Sequence, residues 1–209
     1  MDPIAALTVG VESIKKISGA VGALKGIQKW IFTQPKEAAA ELSRIVTELM
    51  KATPAVTKAT DKLLDVFDSA KPSLSALAQV GDGSLRNEIR TIRPHCHDID
   101  RIAQEHLWQW LNMPGVGGDA QKLRDLLNEI SSADGDYLNG LETFADGIQR
   151  LAREAFNLSV QGKKDEAVAL IGKAAPILFD IRTEAVRLAQ DLTELQIEFR
   201  KQALGVTGG

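Results

Sequence analysis

The chain has 209 residues, 44% apolar and 25% charged, with 5% aromatics and a formal charge of −3. That length supports one domain with a real core. The composition excludes a disordered body, and the few aromatics argue against a β-rich fold. Charge is uneven: residues 1–35 carry four lysines against Asp2 and Glu12, leaving 21 basic and 26 acidic side chains in the remainder, which excludes general nucleic-acid binding by the body.

The first predicted element is a helix over residues 4–32. Acidic residues at 2 and 12, four lysines within the apolar run and the lack of a clean small-residue cleavage site exclude a secretory signal. No stretch of about 18 residues is free of charge, so a membrane-spanning helix is not expected either. The helix carries two short apolar faces, one of Ile4, Leu7, Val11 and Ile14, the other of Ile17, Val21, Leu24 and Ile31. Gly19, Gly22 and Gly26 each cost roughly 1 kcal/mol relative to Ala in a helix. Ser18, Gly22 and Gly26 form a row of small residues of the kind that lets helices approach closely in lipid. Lys15, Lys16, Lys25 and Lys29, with Trp30 near the end, suit an anionic membrane surface. This reading makes the two apolar faces a membrane-inserting surface and the lysines and Trp30 its headgroup contacts. The competing reading is a helix that packs on the body, its glycines admitting a neighbour.

From residue 37 the apolar positions fall three and four apart. Leu42, Ile45, Leu49, Ala52, Val56, Ala59, Leu63, Val66 and Ala70 form one seam, interrupted by Pro54 and Pro72, so a kinked helix or two stacked segments is expected over 37–79. Residues 81–84 read as a turn with Ser84 as N-cap. Leu85, Ile89, Ile92, Cys96, Ile99, Ala103, His106 and Trp110 continue the rhythm, and the glycine-rich 113–118 ends it, with Asp119 able to cap the next helix. Leu123, Leu127, Ile130, Asp134, Tyr137, Leu141, Phe144, Ile148, Leu151, Ala155 and Leu158 keep step up to a tight reversal at 161–164. A last helix follows, with the seam Ala167, Leu170, Ala174, Ile177, Ile181, Ala185, Leu188, Leu192, Leu195 and Phe199, one residue of phase drift near Ala185 and a bend at Pro176. Strand signals are nearly absent. The expected fold is all-α: an antiparallel up-and-down four-helix bundle over 34–204, an additional N-terminal amphipathic helix over 1–33 and a flexible tail at 205–209.

Residues 94–106 hold all three histidines and the single cysteine, Cys96, which excludes an internal disulfide and fits a reducing compartment. His95 and Asp98 have the i, i+3 spacing of metal ligands on one helix face. His106 lies about 16 Å along the axis from His95 and cannot share an ion with it. Cys96 and His106 fall on the apolar seam, where core positions are their ordinary use. No metal site within one chain and no cofactor is therefore expected, an ion held between chains by the His95-Cys96-His97 cluster being the one exception. With no nucleophile elbow and no glycine-rich loop after a strand, no catalytic residues and no enzyme activity are expected.

The opening "MDPIAALTVGVESIKKI" resembles the start of HeLo and HeLo-like domains, the N-terminal helical bundles of cell-death and defence proteins, including the mixed-lineage kinase-like executioners. The resemblance rests on Met1-Asp2-Pro3, the small-and-apolar helix from Ile4 and an all-helical body of about 200 residues. It implies a cytoplasmic effector that self-associates on a signal from an upstream sensor protein or domain, is recruited to anionic membrane lipids and permeabilises them through its first helix. Two alternatives stand beside it: a non-enzymatic oligomerisation or adaptor bundle, and a four-helix ligand-sensing bundle.

Overall fold

The computed structural model describes residues 2–31, 36–67, 74–111, 117–131 and 136–205. All regular structure among them is helical: α1 (Pro3–Ile31), α2 (Lys36–Phe67), α3 (Leu74–Val80), α4 (Ser84–Arg90), α5 (Arg93–Ile102), a π-helical segment (Ala103–Leu107), α6 (Trp108–Leu111), α7 (Gly117–Ser131), α8 (Asp136–Val160) and α9 (Lys164–Leu204). The all-α expectation holds.

Local chemistry sets the helix limits. Asp2 Oδ1 accepts the Ile4 amide at 3.3 Å and Pro3 takes the first position of α1, where a missing amide costs nothing. α2 runs through Pro54 without a break. The missing Pro54 amide orphans the Met50 carbonyl, and Thr53 Oγ1 donates to that oxygen at 3.1 Å. At the 81–84 turn the cap is not Ser84. Gly83 is the N-cap, at a φ of 102° that only glycine takes easily, and Asp82 Oδ1 accepts the Ser84 amide at 2.7 Å.

The single helix expected over 84–110 is divided. Between α4 and α5 the amides of Thr91 and Ile92 bond to carbonyls three residues back, at 3.2 and 3.0 Å, and Pro94 has no amide to offer the carbonyl of Arg90. The π-helical segment then inserts an extra residue, so the buried line passes from Ala103 to Leu107. The single helix expected over 119–160 is likewise two, α7 and α8, and α7 begins at Gly117, ahead of Asp119.

The reversal before α9 has the paired bonds of a Schellman motif. The Lys163 amide donates to Leu158 O at 2.9 Å and that of Gly162, at a φ of 81°, to Ser159 O at 3.2 Å. α9 continues through Pro176. Its buried seam contains Ile171 and Leu178 in place of Leu170 and Ile177, which are partly buried. With that correction the seam from Ala167 to Phe199 alternates four and three without a slip, and the expected phase drift disappears.

α2 packs along α9, and α1 packs against α8, α9 and α7. α5 fits between α2 and α7, while α3 and α4 lie on α8. One apolar cluster takes in side chains from α1, α2, α4, α5, α7, α8 and α9, so α1 shares the core of the body. Around α4 and α5, the carboxylate of Glu142 on α8 receives Arg86, Arg90 and Arg93 at 3.3, 3.5 and 3.4 Å.

Several expected positions lie outside the described side chains: Lys29, Trp30, Ile31, Ala52, Val56, Ala59, Leu63, Val66, Ala70, Pro72, His106, Trp110, Asp119, Asp134 and Tyr137, with residues 206–209 of the tail. No helix among the described residues is long and apolar enough to cross a membrane.

The glycines of α1 divide by environment. A Cβ on Gly10 would come within 2.6–2.8 Å of the Phe144 side chain, and one on Gly19 would lie 3.2 Å from Leu126. Gly22 has nothing within 4 Å of such an atom and is exposed. Gly22→Ala should therefore raise stability by roughly 0.5–1 kcal/mol, read from the midpoint of urea unfolding. A loss of stability would show that position 22 is used by the fold.

Candidate functional site

The expected inserting surface on α1 is sheathed. Leu7, Ile14, Ile17, Val21 and Leu24 are at most 2% exposed, and Ile4 and Val11 are partly buried against the same core. Ala6, Ala20, Ala23 and Ile27 are buried as well, so the covered face of α1 is broad, about 200° of its circumference, while Ala5, Thr8, Glu12, Lys15, Gly22, Lys25 and Gly26 face solvent on the other side. The expected close-packing row is not the contact that α1 makes. Gly22 and Gly26 are exposed, whereas Ser18, partly buried, donates its hydroxyl to Glu184 on α9. Close approach occurs instead where α1 meets α8, with Ala6 against Gly147, Gly10 against Phe144 and Ser13 against Gly140. Bulky side chains at those positions would force the two helices apart.

Among the described residues, the lysines of α1 are engaged by carboxylates. Lys15 pairs with Glu12 on its own helix at 2.7 Å. Lys16 reaches Glu129 on α7 at 3.2 Å, and Lys25 reaches Asp191 on α9 at 2.7 Å. Together with Ser18 and Glu184, these contacts tie α1 to two neighbouring helices from outside the core. Such partly exposed pairs are each worth about 0–1 kcal/mol, so the latch is weak beside the apolar packing beneath it.

α9 carries a second apolar feature that its buried seam hid. Val168, Phe179, Val186, Ile197 and Leu204 are all between 42% and 75% exposed. Their spacings are alternately 11 and 7 residues, or 18 residues per five turns, which matches the 3.6-residue period and keeps the stripe straight along the helix. It extends for about 54 Å at 1.5 Å per residue. Next to it, a groove of about 520 Å³ between α2 and α9 is lined by Met50, Thr53, Pro54, Thr57, Ala189 and Thr193, among others.

The histidine-rich segment acquires a partner that sequence spacing did not reveal. His95 Nδ1 lies 2.8 Å from Glu48 Oε2 across the α2–α5 contact. Ligating atoms of Glu48, His95 and Asp98 all fall within 4.8 Å of one another. The other Glu48 oxygen holds Lys51 at 2.7 Å, and Asp98 holds Arg101 at 3.2 Å. Cys96 points into the core, where burial pushes its thiol up to about 11, only partly opposed by the charge of Arg93. It is therefore a protonated thiol at neutral pH, a poor nucleophile and a poor ligand. His97 is exposed. Comparison with protein-family models, with curated proteins and with solved structures finds no match.

Proposed function

We propose that this chain is a membrane-directed, self-associating helical effector whose inserting helix, α1, is held inside the bundle in the state described here. The observation that carries the reading is the pairing of Lys16 and Lys25 with acids of α7 and α9, over a helix whose apolar residues are almost entirely buried. Anionic lipid headgroups compete with Glu129 and Asp191 for the same two ammonium groups, each lysine contributing about 1 kcal/mol at such a surface. We read the four long helices α1, α2, α8 and α9 as an antiparallel four-helix bundle in which α1 takes one of the four places.

The α9 stripe supplies the self-association step. Reflected through Val186, Val168 falls opposite Leu204, each 18 residues away, while Ile197 falls opposite Ala175 at 11 and Phe179 opposite Thr193 at 7. A second copy running antiparallel therefore places apolar or small residues opposite one another along the full stripe. That is the isologous geometry of a two-fold dimer. The alternative reading, a pure association or adaptor module, rests on this stripe alone.

Dye release from vesicles of phosphatidylglycerol and phosphatidylcholine, against phosphatidylcholine alone, tests the proposal, with sedimentation in parallel. Asp191→Asn, which frees Lys25, should speed release from the anionic vesicles. Lys16→Gln with Lys25→Gln should weaken binding to them by about 30-fold, the equivalent of two lysine contacts. Val186→Glu should abolish both the dimer and the leakage. If neither the wild type nor Asp191→Asn causes leakage, and Val186→Glu still breaks a dimer, the membrane reading is wrong and the association module stands.

A further inference from the structure

We propose that Glu48, His95 and Asp98 form a site for a divalent transition-metal ion that pins α2 to α5. The site does not depend on the membrane reading, because it uses no residue of α1 or α9.

The geometry is nearly assembled. His95 and Asp98 are one turn apart on α5, on the face that meets Glu48 of α2, and the three ligating atoms lie within 4.8 Å of one another. A metal about 2.0–2.2 Å from each ligand needs those atoms roughly 3–4 Å apart, a distance that small χ rotations supply. Glu48 and His95, already at 2.8 Å, need only admit the ion between them. Their side chains are 12% and 28% exposed, so the site is shielded on the helix-contact side and open at Asp98, which is 43% exposed.

The donor set selects the class of ion. One imidazole nitrogen with two carboxylate oxygens suits zinc, manganese or iron(II) rather than calcium or magnesium, which take oxygen ligands throughout. Three protein ligands leave at least one coordination position for water or an outside donor. The two cations now on the carboxylates, Lys51 and Arg101, are about half exposed. Exposed ion pairs of that kind contribute little, so a divalent ion displaces them into solvent at small cost. The bound ion links two helices that are 47 residues apart in sequence at this point, which makes the site a structural staple.

The test is titration of the metal-free full chain with Zn²⁺ by calorimetry and with Co²⁺ by visible absorption. One ion per chain is expected, with cobalt d–d bands and no near-ultraviolet thiolate band, since Cys96 is not a ligand. A hundredfold excess of Zn²⁺ over its dissociation constant should raise Tm by roughly 5–10 °C. His95→Ala and Asp98→Asn should each weaken binding more than the roughly 10–100-fold of a lost supporting contact. His97→Ala should leave it unchanged. Asp98 is only partly buried and Asp98→Asn is isosteric, so that variant keeps the test decisive even if His95→Ala disturbs the fold. The proposal is overturned if no ion binds at millimolar Zn²⁺, if binding survives Asp98→Asn, or if His97→Ala removes it.

Discussion

A chain lacking residues 1–33 is expected to lose its cooperative fold altogether. Circular dichroism should show a broad, non-cooperative thermal response, and a dye for exposed apolar surface should bind. The reason is where α1 sits. Leu7, Ile14, Ile17, Val21, Leu24 and Ile27 are at most 2% exposed, against residues of α7, α8 and α9. Burying six such side chains is worth on the order of 9–18 kcal/mol, whereas a domain of this kind is stable by only about 5–15 kcal/mol. The partner faces on α8 and α9 would be opened to water at the same time. A truncated chain that still unfolds cooperatively would mean that α1 is an appendage, and that the burial described here overstates its share of the core.

The same magnitude constrains any membrane activity. α1 is not expected to leave for water while the rest stays folded, because the apolar loss is comparable to the whole stability available. Exchange into lipid is different, since the apolar faces pass from one non-aqueous surrounding to another and only the vacated faces of α7, α8 and α9 need new cover. Under the proposed function, release would therefore be coupled to the bilayer and to association of several chains, and the amides of α1 in free solution should exchange only through global unfolding.

Periodicity made the all-helical class legible, along with the buried positions Leu42, Ile45 and Leu49 on α2 and eight of the ten seam residues on α9. These are local facts, fixed by which residues share a face. What covers a face is not local, and there the sequence was silent. Glu48 lies 47 residues from His95 and Glu142 lies 49 from Arg93, so neither pairing leaves a spacing signal. α1 did carry a signal of its own. Small or apolar residues at 6, 7, 10, 14, 17, 20, 21, 23, 24 and 27 span about 200° of its circumference, one continuous face wider than the stripe of a helix lying on a surface. Separating those residues into two inserting faces obscured that. The breaks in 84–110 were missed because the apolar rhythm runs straight across them; Pro94 was the local sign of the first.

The contact between Gly10 and Phe144 should show large and strongly non-additive energetics. Phe144 is fully buried, and Phe144→Ala should cost about 3–5 kcal/mol of unfolding free energy through lost burial and the cavity left behind. Gly10→Ala should cost about 1–3 kcal/mol, although alanine is the better helix former, because its methyl would lie 2.6–2.8 Å from three atoms of the Phe144 side chain. The aromatic ring is thus packed against bare backbone, and neither helix can move away without disturbing Ala6 against Gly147 one turn further along. In the double variant the clash has no partner and the new methyl occupies part of the cavity, so the combined loss should fall at least 1 kcal/mol short of the sum. Urea unfolding of the four proteins measures the cycle directly. Simple additivity would mean that α1 and α8 are not in contact at this point. A loss confined to Phe144→Ala would mean that the helices relax to admit a methyl, and that the glycine at position 10 answers to something other than the fold.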